Sequence, residues 1–198
     1  WATNTICTFA GLGNGAFMPA VIYPVRLNPR VVVNADFTGD GNLDLAIGDN
    51  YNNDVLILPG SSSGIFLGAI SYSVGTYPVS PKSADFNADG NMDLAVANYQ
   101  SNSVSVLMGL GTGSFAAAVN YSVLSNPSSL VIDHFNADSK PDIAVTDYNS
   151  GAVSVLTGSG TGTFAPMANY FISTDPVSLT SGFFNNDAPR HNQIQYTK

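Results

Sequence analysis

Hydrophobic and polar positions alternate and cluster over short distances along the chain, and one stretch shows the plan. Pro78 to Ala84 reads as a short strand, Asp85 to Asp93 as a polar loop, and Leu94 to Asn98 as a second strand opening on the apolar run Leu94, Ala95 and Val96. Gln100 to Asn102 makes a turn. Ser103 to Met108 then alternates, with Val104 and Val106 on one side and Ser103 and Ser105 on the other. Gly109 to Gly113 forms a second turn, and Phe115 to Val123 a fourth strand. The near-continuous run predicts a strand near the hub, buried on both faces, and the alternating strand predicts a half-wet periphery.

The whole pattern recurs every 49 residues. Gly15, Gly64, Gly113 and Gly162 keep that spacing, as do Phe17, Phe66, Phe115 and Phe164, Tyr23, Tyr72, Tyr121 and Tyr170, and Pro29, Pro78, Pro127 and Pro176. A unit of about 50 residues with four short strands is the blade of a propeller-type array. The predicted fold is therefore all-β, a single domain over residues 1–198 built as a β-propeller of four 49-residue, four-stranded blades. The phase splits one blade, with a half at 1–25 and the other at 176–198. The strand Asn192 to Tyr196 would pair with Thr5 to Phe9 of its own chain, closing a ring, or with those residues of another molecule, building a larger assembly. Closure within one chain is the simpler expectation.

Composition sharpens this picture. All 14 acidic residues are Asp and none is Glu, while Gly reaches 19 and Asn 20, which removes strong helix formers and excludes an all-α fold. The formal charge is −8, and Arg26, Arg30, Lys82, Lys140, Arg190 and Lys198 are scattered, so nucleic acid is not an expected partner. No apolar run approaches the ~20 residues of a membrane span. The chain opens on Trp1 instead of Met, as a processed protein or a piece of a longer one would. Cys7 is the only cysteine, so no internal disulfide forms.

The loop after the first strand of each unit carries the candidate chemistry. Asp36, Thr38, Asp40, Gly41, Asn42 and Asp44 read D-x-T-x-D-G-N-x-D; Asp85, Asn87, Asp89, Gly90, Asn91 and Asp93 read D-x-N-x-D-G-N-x-D. A hard cation such as Ca²⁺ takes six to eight oxygens, which alternate positions of a tight loop can supply. The expected ligands are Asp36, Thr38, Asp40, Asp44 and the Asn42 carbonyl in one site, and Asp85, Asn87, Asp89, Asp93 and the Asn91 carbonyl in the other. Asp, Asn and Gly also simply make turns, but two copies at one repeat phase, with crowded like charges, favour a cation. The third copy, His134, Asn136, Asp138, Ser139, Lys140 and Asp142, has lost its first Asp and its Gly, and is a weaker site. The fourth, Phe183, Asn185, Asp187, Ala188, Pro189 and His191, should be metal-free. Two calcium ions are expected, with a third in the weaker loop.

These motifs carry a family resemblance. A-D-F-N-A-D-G-N-M-D-L-A-V-A-N-Y, followed by S-V-S-V-L and G-x-G-T-G-S-F, resembles the FG-GAP/VCBS repeat of integrin α-chain propellers, integrin-like lectins and many secreted proteins. The resemblance spans the chain and implies four-stranded blades with Ca²⁺ between the first two strands. The family commonly builds about seven blades, where this chain has four.

No catalytic constellation is apparent, and the chain is not expected to be an enzyme. His134 and His191, its only histidines, occupy drifted loop positions, and Cys7 aligns with strand residues Leu56, Ser105 and Ser154 as a packed thiol. Trp1, Tyr99 and Tyr148 share one phase before a turn and are candidate sugar-stacking residues, although packing between blades is their simpler role. Tyr23, Tyr72, Tyr121 and Tyr170 are too regular to be other than architectural. Asn120 heads the one glycosylation sequon, Asn120-Tyr121-Ser122. The expected function is an extracellular, secreted or cell-surface, calcium-stabilised propeller protein in recognition, adhesion or assembly. Its partners would be a glycan, an extracellular protein or, through the half-blades, another copy. The alternatives are a carbohydrate-binding lectin, a non-catalytic propeller portion of a larger secreted enzyme, and a head-to-tail polymerising structural subunit.

Overall fold

The computed structural model of the chain describes residues 4–25, 29–172, 175–182 and 193–197. Every regular element among them is a β-strand. Three complete blades stand in the middle. The first holds β3 (Pro29–Ala35), β4 (Asp44–Asp49), β5 (Asp54–Leu58) and β6 (Ile70–Ser73). The second holds β7 (Pro78–Ala84), β8 (Asp93–Asn98), β9 (Ser103–Leu107) and β10 (Val119–Ser122). The third holds β11 (Pro127–Asp133), β12 (Asp142–Asp147), β13 (Ala152–Leu156) and β14 (Ala168–Phe171). Each is an antiparallel meander in chain order. The register of the second and third strands repeats as the sequence does, since Ala46↔Ile57, Ala95↔Val106 and Ala144↔Val155 are one pair moved by one unit. The turn between the second and third strands needs a left-handed residue, supplied by Asn53, Asn102 and Gly151 (φ 58°, 52° and 58°).

Blades bury their faces against each other. Phe37, Val55 and Ile57 of the first meet Leu94, Val96, Leu107 and Phe115 of the second. Phe86, Val104 and Val106 of the second meet Leu130, Ile143, Val145 and Leu156 of the third. Each such side chain taken wholly out of water stabilises the fold by roughly 1.5–3 kcal/mol. Toward the rim an aromatic triad locks each interface. Phe115 stands edge-on to Phe37 and Tyr72 (5.5 and 5.3 Å), and Phe164 to Phe86 and Tyr121 (5.2 and 5.4 Å). Of the four regular tyrosines expected to be architectural, Tyr72 and Tyr121 hold these corners. Tyr23 meets Phe66 in the same way, whereas Tyr170 is exposed.

The expected wet periphery is displaced outward by one strand. β9 is buried along its whole length, serines included, and the exposed strand is β10. The alternation in β9 reports a buried polar ladder: Asn98 Nδ2 donates to Ser103 Oγ and Ser105 Oγ (3.1 and 2.8 Å), and Ser105 Oγ donates to Asn120 Oδ1 (2.6 Å). Hydroxyls paired in this way are buried at little net cost. The hub-side strands are the first of each unit, β3, β7 and β11, packed side by side.

Two half-blades flank the array, β1 (Thr5–Thr8) with β2 (Val21–Pro24), and β15 (Ser178–Gly182) with β16 (Gln193–Thr197). Ile6 and Val25 pack on Ile47, Leu56 and Leu58, while Ile194 packs on Val153, Val155 and Leu179. β1 and β16 do not pair with each other, so the expected ring-closing blade stands as two separate halves. The physical reason lies in β16. Gln193 and Gln195 stand where the second strands of complete blades carry Ala46, Ala95 and Ala144, and Gly48, Ala97 and Thr146, so β16 has few apolar side chains with which to hold another strand. Asn192, the first residue of the expected closing strand, lies outside the described residues.

Candidate functional site

Tight turns build the first two carboxylate loops. In the first, Asp36 folds back on its own chain, accepting from Gly39 N (2.7 Å), Asp40 N (3.3 Å), Gly41 N (2.8 Å) and the Thr38 hydroxyl (3.4 Å), while Asp40 accepts from Asn42 N (2.8 Å). In the second, Asp85 accepts from Asp89 N (3.2 Å) and Gly90 N (2.8 Å), and Asp89 from Asn91 N (2.8 Å) and Asn87 Nδ2 (3.0 Å). These donors favour the charged carboxylate. Asp36 is held below the usual range chiefly by the Gly41 amide, Asp40 by the Asn42 side chain and amide, and Asp89 by the Asn91 amide and Asn87.

The ninth position behaves differently. Asp44 is fully buried and bridges two elements, with Oδ2 accepting from Phe37 N and Thr38 N (2.7 and 2.9 Å) and Oδ1 from Gly60 N (2.7 Å). Asp93 does the same with Phe86 N and Gly109 N (2.8 and 2.7 Å), and Asp142 with Phe135 N and Gly158 N (2.9 and 2.8 Å). The ninth aspartate is thus a staple from the loop to the turn after the third strand. Gly109 is required there because a Cβ would run into the Met92 carbonyl. Burial raises the Asp93 pKa above the ordinary carboxylate value, and Asp89 and Asp85 push it the same way. Among the described residues no three His, Cys, Asp or Glu side chains group into a ready metal cage.

The third loop keeps only part of this. Asp138 Oδ1 accepts from Lys140 N (3.0 Å), and the Lys140 ammonium lies 3.9 Å from Asp138 Oδ2. His134 turns aside, with Nδ1 3.8 Å from Asp133 Oδ1, and Asn136 Oδ1 accepts from Asp138 N (2.9 Å). The fourth loop, from Phe183 to His191, and Trp1 lie outside the described residues.

Tyr99 and Tyr148 are both half-buried at turns; the Tyr99 ring tilts against Tyr77 at 5.9 Å, and the Tyr148 amide donates to the Asn126 carbonyl (3.0 Å). Asn120 is exposed on β10, although Ser105 occupies its carbonyl oxygen. Cys7, expected to be packed, is exposed, because β1 is the edge of a two-stranded sheet where Leu56, Ser105 and Ser154 have neighbours on both sides.

A groove at the hub was not anticipated from the sequence. It encloses about 380 Å³ and is lined by one repeat position from four successive units, Arg30, Val79, Ser128 and Val177, with Asn50 and Tyr77 beside them. The one sequence signal was Asn50, which interrupts the aromatic phase of Tyr99 and Tyr148.

Residues 36–96 match the family model of the FG-GAP-like repeat. No curated protein sequence matches the chain significantly. Among solved structures, a functionally unknown protein from Desulfotomaculum acetoxidans superposes with a TM-score of 0.63 at 17% identity, covering 87% of this chain and 52% of that one. Virginiamycin B lyase from Staphylococcus aureus gives 0.59 at 16%, covering 97% and 62%. An Agrocybe aegerita lectin that recognises non-reducing terminal N-acetylglucosamine gives 0.57 at 18%, covering 98% and 52%. The chain therefore spans only about half to three-fifths of the length of these structures. At such identities the likeness is one of fold: the chain is an array of propeller-type blades, and its residues 36–96, from the first carboxylate loop into the strand after the second, form an FG-GAP-like repeat.

Proposed function

We propose that the chain is a calcium-stabilised propeller-type module of an extracellular protein, non-catalytic, working in recognition, adhesion or assembly. The observation that supports it most is the second loop, where Asp89 and Asp85 add to the burial that raises the Asp93 pKa. The donors are all oxygen, as a hard cation requires. Asp36, Thr38 and Asp40, with Asp85, Asn87 and Asp89, would meet the ion, while Asp44 and Asp93 staple the loops. In the third loop the ammonium of Lys140 stands in for that charge.

The test is chelation of the full chain with elemental analysis. At a calcium concentration 100-fold above the dissociation constant, each site adds about 2.7 kcal/mol, so removal should lower Tm clearly. An unchanged Tm with no calcium in the purified protein would sink the reading. A second reading, that recognition is of glycans, is supported by the fold shared with the Agrocybe aegerita lectin.

A further inference from the structure

The hub groove has three features that packing alone does not explain. The first is Asn50, 6% exposed, whose Oδ1 and Nδ2 both lack a hydrogen-bond partner. A buried amide left without partners is unfavourable, and blades with Tyr99 and Tyr148 at this position avoid it. The second is Tyr77, whose φ is +60°. The equivalent turn positions hold Asn126 and Asp175 (φ 58° and 60°), residues that accept the left-handed region, whereas a bulky aromatic there is strained. The third is Arg30, which replaces the Val79, Ser128 and Val177 of the other units and whose Nη2 donates to the Tyr77 hydroxyl (3.4 Å). Strain, an unsatisfied amide and, among the described residues, a single cation meet in one groove.

We propose that this groove binds a sugar acid, with the Arg30 guanidinium taking its carboxylate. The guanidinium fork suits a carboxylate bidentately, and a single cation in a chain of net charge −8 matches one negative charge better than the two of a phosphate. Asn50 offers one free donor and one free acceptor, the complement of a hydroxyl, which both donates and accepts. The Tyr77 ring supplies an apolar face for the sugar ring. A volume of about 380 Å³ is of monosaccharide scale. The proposal deepens the recognition reading above and rests on it, but it uses none of the carboxylate loops.

The experiment is calorimetric titration of the full chain in calcium-containing buffer with D-glucuronate, D-glucose and inorganic phosphate. Glucuronate should bind at least tenfold more tightly than glucose or phosphate, and Arg30→Gln should remove that preference. Asn50→Leu should weaken glucuronate binding while raising Tm, opposite signs that a merely structural asparagine would not give. Arg30 is exposed, so its variant carries the test even if Asn50→Leu fails to fold. Equal binding of glucose and glucuronate, tighter binding of phosphate, no binding at millimolar glucuronate, or full binding by Arg30→Gln would each overturn the proposal. Failure here with an intact calcium-dependent Tm would leave the loop reading standing, and loss of calcium dependence with glucuronate still bound would do the reverse.

Discussion

The second and third blades have the same strand lengths and the same register between their second and third strands, yet they treat charge differently at two equivalent places. In the loop, the second blade gathers Asp85, Asp89 and Asp93, whereas the third holds His134, Asp138 and Asp142 with the Lys140 ammonium 3.9 Å from Asp138. At the end of the second strand, the second blade buries neutral Asn98, and the third buries Asp147. Asn98 donates to two serine hydroxyls and Asp147 accepts from Ser154, and in each the Oδ1 has no partner. A fixed backbone thus tolerates opposite electrostatic solutions, provided the ninth loop aspartate remains. That residue is the feature the two blades share, and its role is structural in both.

The largest effect should come from that shared residue. Asp93→Ala orphans two buried amides, at a cost of roughly 3–5 kcal/mol, and Asp142→Ala orphans two half-buried ones, at a smaller cost. Urea unfolding should show a loss for both, larger for Asp93, with a calcium-independent part in each. A loss confined to Asp93 would show that the staple serves only a metal-bearing loop.

The next effect separates the blades. Desolvation by burial raises the Asp147 pKa to about 6, from 3.8 in the unfolded chain. The folded state then binds the extra proton between these values, so this group's contribution to stability is present below about pH 4 and is lost as pH rises through about 6. Its loss amounts to about 3 kcal/mol at pH 7. Asp147→Asn, which copies Asn98, should raise stability at pH 7 and flatten the dependence between pH 4 and 6. Denaturation curves across that range that superpose for variant and parent would contradict it.

The smallest predicted effect reads the loops directly. Asp89→Ala should lose up to about 2.7 kcal/mol of calcium-dependent stability at a concentration 100-fold above the dissociation constant. Asp138→Ala should lose much less, since Lys140 already accompanies that carboxylate. Melting curves of both variants with and without chelator make the measurement, and equal losses would erase the distinction between the loops.

Much of the fold was legible because the repeat restates each strand several times. Pro78–Ala84 was read to the residue, and the second and third strands to within one. The burial of Ser103 and Ser105 was not legible, because their partners Asn98 and Asn120 come from neighbouring strands and alternation alone cannot separate solvent from a paired interior. Asp44 and Asp93 read as ligands for a similar reason, their amide partners Gly60 and Gly109 lying 16 residues away. Arg30, Asn50 and Tyr77 escaped notice because a repeat draws attention to what recurs, and each of these departs from it.

The aromatic triads have one more consequence. Because Phe115 and Phe164 fill equivalent corners against Phe37 with Tyr72 and Phe86 with Tyr121, excision of residues 78–126 would join Tyr77 to Pro127 in phase and bring Phe164 to the corner Phe115 had filled. Unequal recombination within such a gene would then change the number of blades without redesigning a single junction, so copy number is the coordinate along which this architecture varies most easily.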